Sequence, residues 1–157
     1  MPPLPPDSTH LWVDAAPFRA HVHHLVTTTG IRWTVIAVVA NVPPGLMSRL
    51  LFAQGGPPLR RLPLDCARRL VAITPDLLTR LRRASMPAAP THGRLRELAR
   101  RGWTTRDLAA ALGCPTAEIE VLLSGRARSV PTVRAHAVCA LLAAADRAAA
   151  GRVPCAA

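Results

Sequence analysis

Histidine is the residue type of this chain that most directly raises the question of metal chemistry. His21, His23 and His24 lie within four residues of one another. A helix does not bring three residues at these spacings onto one face, and no acidic or thiol side chain lies nearby in the sequence. We therefore expect ordinary surface histidines here and no metal site.

The four cysteines are too far apart in sequence to form a local zinc or redox motif. They are separated by 48, 25 and 16 residues, whereas such motifs place their cysteines two to four residues apart. We expect the first three to be small apolar residues in a reducing compartment, with an iron–sulfur site as the alternative. The cysteines are Cys66, Cys114, Cys139 and Cys155.

The sequence does not display the residue groupings of an enzyme. It holds no nucleophile–base pair, no paired carboxylates, no glycine-rich phosphate loop and no metalloprotease motif. We therefore expect a protein without enzymatic activity and without a cofactor.

Arginine supplies the remaining chemistry of the chain. All 20 basic residues are arginines, against nine acidic residues, and the net charge is +11. The lack of lysine is what a GC-rich coding sequence produces, but the charge itself predicts attraction to a polyanion, of which nucleic acid is the usual one. The alternative is a solvated basic surface with no specific partner.

The apolar segments of the chain do not indicate a membrane protein. The first nine residues lack the charged start and the apolar run of a signal peptide, and they are typical of a disordered lead-in. The apolar run 35–42 is too short to span a bilayer. We expect a soluble cytoplasmic protein that associates with the nucleoid and not with a membrane.

An internal repeat defines the elements that must position the arginines. Residues 36–51 lie over residues 108–123 without a gap, at an offset of 72. The pattern of each copy predicts a helix, a tight turn and a second helix. The similarity between the copies extends over about 55 residues per copy. A repeated helix-turn-helix in a strongly basic chain predicts a DNA-binding protein with two domains that recognise base sequence.

The composition predicts an all-α fold of two tandem small helical domains. Half of the residues are hydrophobic and only 3% are aromatic, which is typical of small helical bundles. Prolines at 87 and 90 predict a non-helical linker between the two copies. We expect a disordered lead-in at 1–10, domain one at 11–83, a linker at 84–92, domain two at 93–150 and a flexible tail at 151–157.

Helix boundaries follow from apolar periodicity and from capping residues. The first helix is expected over 17–28 in domain one and over 93–101 in domain two, where Ala99 is expected to face inward. A long apolar helix is expected over 132–149. Thr104, or the threonine after it, can cap the second helix of domain two because its hydroxyl accepts an unpaired backbone N–H.

The turn of a helix-turn-helix needs a residue that tolerates a left-handed backbone, and a small residue is needed where the two helices touch. Domain two supplies Gly113 and Ala109 for these roles, and domain one supplies Asn41 and Ala37. Asparagine is the residue other than glycine that best tolerates this conformation, so both copies fit the motif.

The order of the elements resembles the lambda-repressor-like (Xre-type) DNA-binding domains, of phage immunity-repressor or actinobacterial type. A helix precedes the helix-turn-helix, and a loop containing Gly and Arg, a proline and a further helix follow it, as in Leu122-Leu123-Ser124-Gly125-Arg126 and then Val130-Pro131. The likeness covers about 120 of the 157 residues. It implies that the third helix of each domain lies in the major groove and that the second crosses the phosphate backbone.

In domain one the resemblance implies a base-facing set on the third helix, with Phe52 at its far end. Its members are Pro44, Gly45, Ser48 and Arg49. The Arg49 guanidinium can pair with both acceptors of a guanine, and the alternative is a fork to a phosphate.

The second helix of domain one is expected at the phosphate backbone. Trp33 and Thr34 begin that helix, with a place in the core as the alternative for Trp33. Arginines on either side are expected as phosphate clamps, or alternatively as solvated surface residues. They are Arg32, Arg60 and Arg61.

The same positions of domain two form a poorer reading surface. They hold Thr116, Ala117, Glu120, Val121 and Ser124. Glu120 can accept from a cytosine amino group, but Glu118 and Glu120 also repel phosphate, so a protein-contact face is the alternative. Residues at the start of the second helix and after the third complete the predicted DNA-binding set: Thr105, Arg106, Arg126 and Arg128.

We therefore expect a sequence-specific double-stranded DNA-binding transcriptional regulator, acting as a repressor through two non-identical helix-turn-helix domains. A monomer of this kind can read an asymmetric site. The alternative is a protein-interaction or antitoxin-like module, in which only domain one contacts DNA and domain two binds a second copy or another protein. A sequence-tolerant architectural DNA binder is a third interpretation.

Overall fold

The computed structural model describes residues 11–53 and 56–151. The predicted lead-in, and the tail from residue 152 onward with Cys155, lie outside the described residues. The chain divides between Leu78 and Thr79 into two compact units, which we call unit one and unit two. The predicted helical character is confirmed, but each unit also contains a two-stranded antiparallel sheet, so the fold is mostly helical rather than all-α.

Unit one opens on a short strand whose partner lies 47 residues further along the chain. Its elements are β1 (Trp12–Asp14), α1 (Ala16–Thr29), α2 (Trp33–Val39), α3 (Pro44–Phe52), β2 (Arg61–Pro63) and α4 (Leu64–Val71). In the sheet Val13 lies opposite Leu62, and Asp14 lies opposite Arg61. A further helix, α5 (Pro75–Arg83), contains the boundary between the two units.

Unit two repeats this order of elements. They are β3 (Ser85–Pro87), α6 (Ala89–Arg100), α7 (Thr105–Leu112), α8 (Thr116–Leu123), β4 (Ser129–Pro131) and α9 (Thr132–Ala150). Met86 lies opposite Val130 in its sheet, just as Val13 lies opposite Leu62 in unit one. The repeat therefore includes the strands as well as the helices.

The apolar residues common to both copies form the core of each unit. Those of unit one that are at most 1% exposed include Val22, Leu25, Ile36, Met47 and Leu50, and those fully buried in unit two include Leu95, Leu98, Leu108 and Ile119. Burying one such side chain contributes about 1.5–3 kcal/mol. Ala99 is exposed, contrary to the prediction, because it follows the buried Leu98 by one residue and is turned about 100° away from it on the helix.

The turn and cap predictions are confirmed. Asn41 and Gly113 have left-handed φ values of 52° and 64°. The Thr104 hydroxyl accepts from the Asp107 N–H at 3.1 Å, and the Asp107 carboxylate accepts from the Thr104 N–H at 3.1 Å. This reciprocal capping box satisfies two backbone donors at the start of α7.

The expected irregular linker at 84–92 is wrong. This segment contains β3 and the first turn of α6, which begins four residues before the predicted Gly93. Pro90 stands in the first turn, where its missing N–H costs nothing, and Pro87 ends the three-residue strand. The Ala88 N–H donates to the Arg128 carbonyl at 3.1 Å, and the Ala88 side chain is fully buried. The segment is therefore part of the folded unit.

Candidate nucleic-acid interface

An equivalent backbone hydrogen bond stabilises the turn between α2 and α3 in unit one and the turn between α7 and α8 in unit two. In unit one the Val42 N–H donates to the Ala37 carbonyl at 2.9 Å, and in unit two the Cys114 N–H donates to the Ala109 carbonyl at 3.0 Å. Both alanines are buried where the helix pair meets the core. The left-handed residue between them makes this six-residue closure possible. The angle between the two helices is thus set by backbone geometry that both copies share.

An arginine from the helix that follows the second strand of each unit donates a hydrogen bond to this turn. Arg69 of α4 donates from Nη1 to the Asn41 carbonyl and also pairs with Asp65. Arg134 of α9 donates from Nη1 to the Leu112 carbonyl at 2.9 Å. The two arginines occupy different positions of their helices, yet each satisfies a carbonyl that the end of a helix leaves unpaired. They act as positioning residues for the turn.

The predicted site residues of unit one lie on α2, on α3 and at the entry to β2. Trp33, Thr34, Pro44 and Ser48 are half-buried. The remaining members are exposed: Arg32, Gly45, Arg49, Arg60 and Arg61. The outer side of α3 therefore presents the Arg49 guanidinium to solvent, and three further arginines are exposed on the segments that flank α2 and α3.

An aromatic contact links the start of α2 to the end of α3. The rings of Trp33 and Phe52 meet edge to face, with centroids 5.7 Å apart and planes at 65°. Trp33 is half-buried, so it is neither fully in the core nor fully in solvent, and Phe52 remains 48% exposed. Thr105 and Ser124 occupy the corresponding positions of unit two. This aromatic surface is therefore particular to unit one.

Arg19 joins the end of α3 to the loop that carries two of the predicted arginines. Its Nε donates to the Leu50 carbonyl at 2.6 Å, and its Nη2 donates to the Leu59 carbonyl at 2.9 Å. Leu59 immediately precedes Arg60 and Arg61, so this contact holds their backbone close to α3. The role of Arg19 could not be predicted from the sequence, because nothing in the local pattern of α1 indicates that its guanidinium turns toward the protein.

The chain segment that forms this surface contains basic side chains and no acidic ones. No acidic residue occurs between positions 15 and 64, a stretch that contains five arginines. Asp14 lies just before it, and its carboxylate accepts from the Ala16 N–H at 3.1 Å. Since opposite charges are the main source of affinity for phosphate, the composition of this stretch suits a polyanion.

The predicted residues of unit two lie around α7 and α8. Thr105 is half-buried. The others are exposed: Arg106, Thr116, Ala117, Glu120, Ser124, Arg126 and Arg128. The three exposed arginines lie before and after α8 in the chain, and α8 itself contains none. The chemistry of this helix therefore differs from that of α3.

Two polar groups of α8 are engaged within unit two. The Glu118 carboxylate lies 3.4 Å from the Arg134 guanidinium, so its charge is paired. The Ser124 hydroxyl donates to the Val121 carbonyl at 2.8 Å. Of the two carboxylates that we expected to repel phosphate, Glu118 is thus paired within the unit, whereas Glu120 is exposed and forms no ion pair with the described residues.

The first turn of α7 contains a carboxylate, that of Asp107, whereas the first turn of α2 contains no acidic residue. Hydrogen bonds from the Thr104 side chain and backbone N–H lower the pKa of the Asp107 carboxyl, which is therefore ionised at neutral pH. Arg32 and Val35 occupy the corresponding positions of unit one. The second helix of unit one thus begins at a cation and that of unit two at an anion.

The histidines and cysteines are the possible metal ligands or reactive groups that the sequence raised, and their contacts and burial bear on these roles. His21 lies with Nε2 3.0 Å from the Ile73 carbonyl and 3.2 Å from the Leu70 carbonyl, so this nitrogen donates to the end of α4 and His21 is not a simple surface residue. Within residues 11–53 and 56–151, no group of three histidine, cysteine or acidic side chains is arranged to hold a metal. Burial raises the pKa of the Cys66 and Cys114 thiols, which favours the protonated form.

No helix in the described part of the chain combines the length and the apolar character needed to cross a membrane. A comparison of the chain with protein-family models, with curated proteins and with solved structures finds no match.

Proposed function

We propose that this chain is a sequence-specific double-stranded DNA-binding regulator that acts as a repressor. In this proposal unit one is the domain that makes most of the base-specific contacts. The observation that supports this most directly is the exposed Arg49 on α3, within a stretch of 50 residues that contains arginines and no acidic residue. A guanidinium on an exposed helix face can bind both acceptors of a guanine in the major groove. The flanking arginines supply the phosphate contacts that set register.

The arrangement of unit one provides rigid support for such a reading helix. The Val42–Ala37 hydrogen bond and the Arg69 contact hold the turn that precedes α3, and the Arg19 contact holds the end of this helix. Preorganised side chains lose less entropy on binding. We propose that both units are lambda-repressor-like helix-turn-helix domains, in which α3 and α8 enter the major groove.

Selection of bound sequences from random duplex DNA, with the full chain, tests this proposal. We expect an enriched motif for the unmodified protein. Arg49→Ala should relax one base position at a cost of about 1–3 kcal/mol. Arg68→Ala is the matched control, because it removes the same charge from an exposed position of α4 outside the site. It should leave the motif intact.

Dependence on salt provides an independent readout. If about six phosphates are contacted, affinity should fall on the order of 10³-fold between 50 and 200 mM salt. Equal binding of the selected site and of random duplex would contradict sequence-specific reading and favour an architectural binder. Repression itself predicts that placing the selected site over a promoter lowers transcript yield in a purified transcription reaction.

The alternative interaction module makes a different prediction for unit two. If unit two only mediates association, sedimentation of the full chain should show a concentration-dependent dimer without DNA. Under our proposal the free chain is a monomer, and protection from cleavage on DNA should extend over two adjacent segments, one for each unit.

A further inference from the structure

The exposed face of α8 is apolar at its centre. Ala117 and Val121 are four residues apart and therefore lie on one side of the helix. Both are exposed, and 49% of the Val121 surface is accessible to solvent. Exposed apolar side chains are common when isolated, but this pair stands where α3 carries Gly45 and Arg49.

The polar groups around this pair leave few hydrogen-bond donors for reading bases. Glu118 is paired with Arg134, and the Ser124 hydroxyl donates to a backbone carbonyl, so that the exposed Thr116 at the first position of α8 supplies the remaining hydroxyl donor. Glu120 presents a carboxylate, which accepts hydrogen bonds and repels the acceptor atoms of a guanine edge. A face of this kind cannot read guanine as Arg49 can.

The thymine 5-methyl is the apolar group that bases expose in the major groove. We propose that α8 recognises thymine through contact of Ala117 and Val121 with this methyl group. The inference rests on the proposed function, and it assigns different base chemistry to the two units. α3 reads guanine through a guanidinium, whereas α8 reads thymine through apolar contact.

The surroundings of this face favour DNA over a protein partner. Arg106, Arg126 and Arg128 precede and follow α8, are exposed, and form no ion pair with a carboxylate of the described residues. A stable protein interface buries about 800 Å² on each side around an apolar centre. Two small apolar side chains beside a free carboxylate and flanking arginines provide much less apolar area than that, but they match the size of a base edge.

Replacement of thymine by uracil isolates the proposed contact, because uracil lacks only the 5-methyl group. Duplexes carrying the selected site, with each thymine replaced singly, are titrated with the full chain by fluorescence anisotropy. We expect one or two positions in the segment bound by unit two to lose about fourfold in affinity, the value for one apolar carbon no longer buried. The other thymines of that segment should be insensitive.

The variant Val121→Ser links this loss to α8. It should bind the thymine site more weakly than the unmodified chain, and its discrimination between thymine and uracil at those positions should be reduced to the part that Ala117 supplies. Val71→Ser is the matched control, because Val71 is an exposed valine on α4, outside the proposed interface. The control should keep the full discrimination. Amide hydrogen exchange of α8 verifies that Val121→Ser remains folded.

Three outcomes overturn the inference, and they are distinguishable from failure of the proposed function. Equal affinity for thymine and uracil throughout the segment bound by unit two excludes the methyl contact. Retention of the full discrimination by Val121→Ser excludes this residue. A concentration-dependent dimer that Val121→Ser abolishes assigns the face to a protein partner. Absence of any enriched duplex would instead reject the proposed function and this inference together.

Discussion

The rings of Trp33 and Phe52 meet edge to face 5.7 Å apart, and this contact joins the first residue of α2 to the last residue of α3. The two residues are 19 positions apart in sequence. Their contact spans the open side of the helix pair, opposite the turn at Asn41. Helices α2 and α3 are thus held together at both ends, by backbone geometry at the turn and by aromatic packing at the other end.

Phe52→Ser introduces the residue that unit two has at this position and removes the ring contact. Edge-to-face pairs contribute about 0.5–1.5 kcal/mol beyond the burial of their area. We expect a loss of about 1 kcal/mol in the opening free energy of unit one, seen as roughly fivefold faster amide hydrogen exchange in α2 and α3 of the full chain. Val71→Ser changes an exposed residue that makes no such contact. It should alter the opening free energy of unit one by less than about 0.5 kcal/mol. Equal effects of the two variants would contradict a structural role for the ring pair.

Arg19→Met removes the two hydrogen bonds that tie α1 to the end of α3 and to Leu59. Hydrogen bonds from charged donors contribute about 1.5–3 kcal/mol, so we expect unit one to lose about 2 kcal/mol of stability. Hydrogen exchange of the Leu50 and Leu59 segments measures this loss. Arg68→Met is the control, because Arg68 is exposed on α4 and its side chain makes no comparable contact with the described residues. Similar exchange in both variants would show that the Arg19 bonds do not stabilise the unit.

Ala53 and Gly125 occupy equivalent positions after α3 and α8, and both have left-handed φ values, of 51° and 76°. The left-handed conformation costs a residue with a Cβ about 1–2 kcal/mol, whereas glycine loses about 0.5–1 kcal/mol through its greater unfolded freedom. We therefore expect Ala53→Gly to stabilise unit one by up to about 1 kcal/mol. Gly125→Ala should destabilise unit two by a similar amount, and its new Cβ would lie 3.4 Å from the Arg96 side chain.

Chemical denaturation of the full chain, followed by hydrogen exchange in each unit, measures these opposite effects. Ala144→Gly serves as a comparison, because Ala144 is an exposed residue within helix α9. Glycine there should destabilise unit two by about 1 kcal/mol. A stabilising effect of glycine at position 144, or a destabilising one at position 53, would contradict the assignment of strain to Ala53.

Burial, and secondarily the charge of Arg94, lower the pKa of His136 below its usual value of 6.5. The folded chain therefore binds this proton less readily than the unfolded chain, and stability rises with pH between the lowered pKa and 6.5. We expect unit two to lose stability as the pH falls through 6.5, and His136→Gln should flatten this dependence. The check is hydrogen exchange of α6 and α9 at pH 7.5 and 5.5, corrected for intrinsic exchange rates. An unchanged slope in His136→Gln would assign the pH dependence to other groups.

Local patterns in the sequence predicted the elements that depend on neighbouring residues. The repeat predicted the paired helices, Asn41 and Gly113 predicted the left-handed turns, and Thr104 predicted the start of α7. These features could be predicted because backbone propensity and capping act over a few residues. The buried faces of the two helix pairs followed from the same helical period.

The elements that depend on distant partners could not be predicted in this way. A three-residue strand such as β1 carries almost no pattern of its own, and it exists because β2, from the other end of the unit, supplies its hydrogen-bond partners. The segment 84–92 shows the same effect, since its prolines suggested a linker while β4 orders it as a strand and the start of a helix.

The candidate interface likewise has features that the sequence predicts and features that depend on the folded structure. The residue types on α3 and α8 were evident from the sequence alone, including the contrast between Arg49 and Val121. The tertiary structure decided which of these groups are available, because it pairs Glu118 with Arg134, uses Arg19 to hold the end of α3 and brings Trp33 against Phe52. Composition determines charge and chemical type, whereas availability depends on contacts between residues far apart in the chain, which only the folded structure brings together.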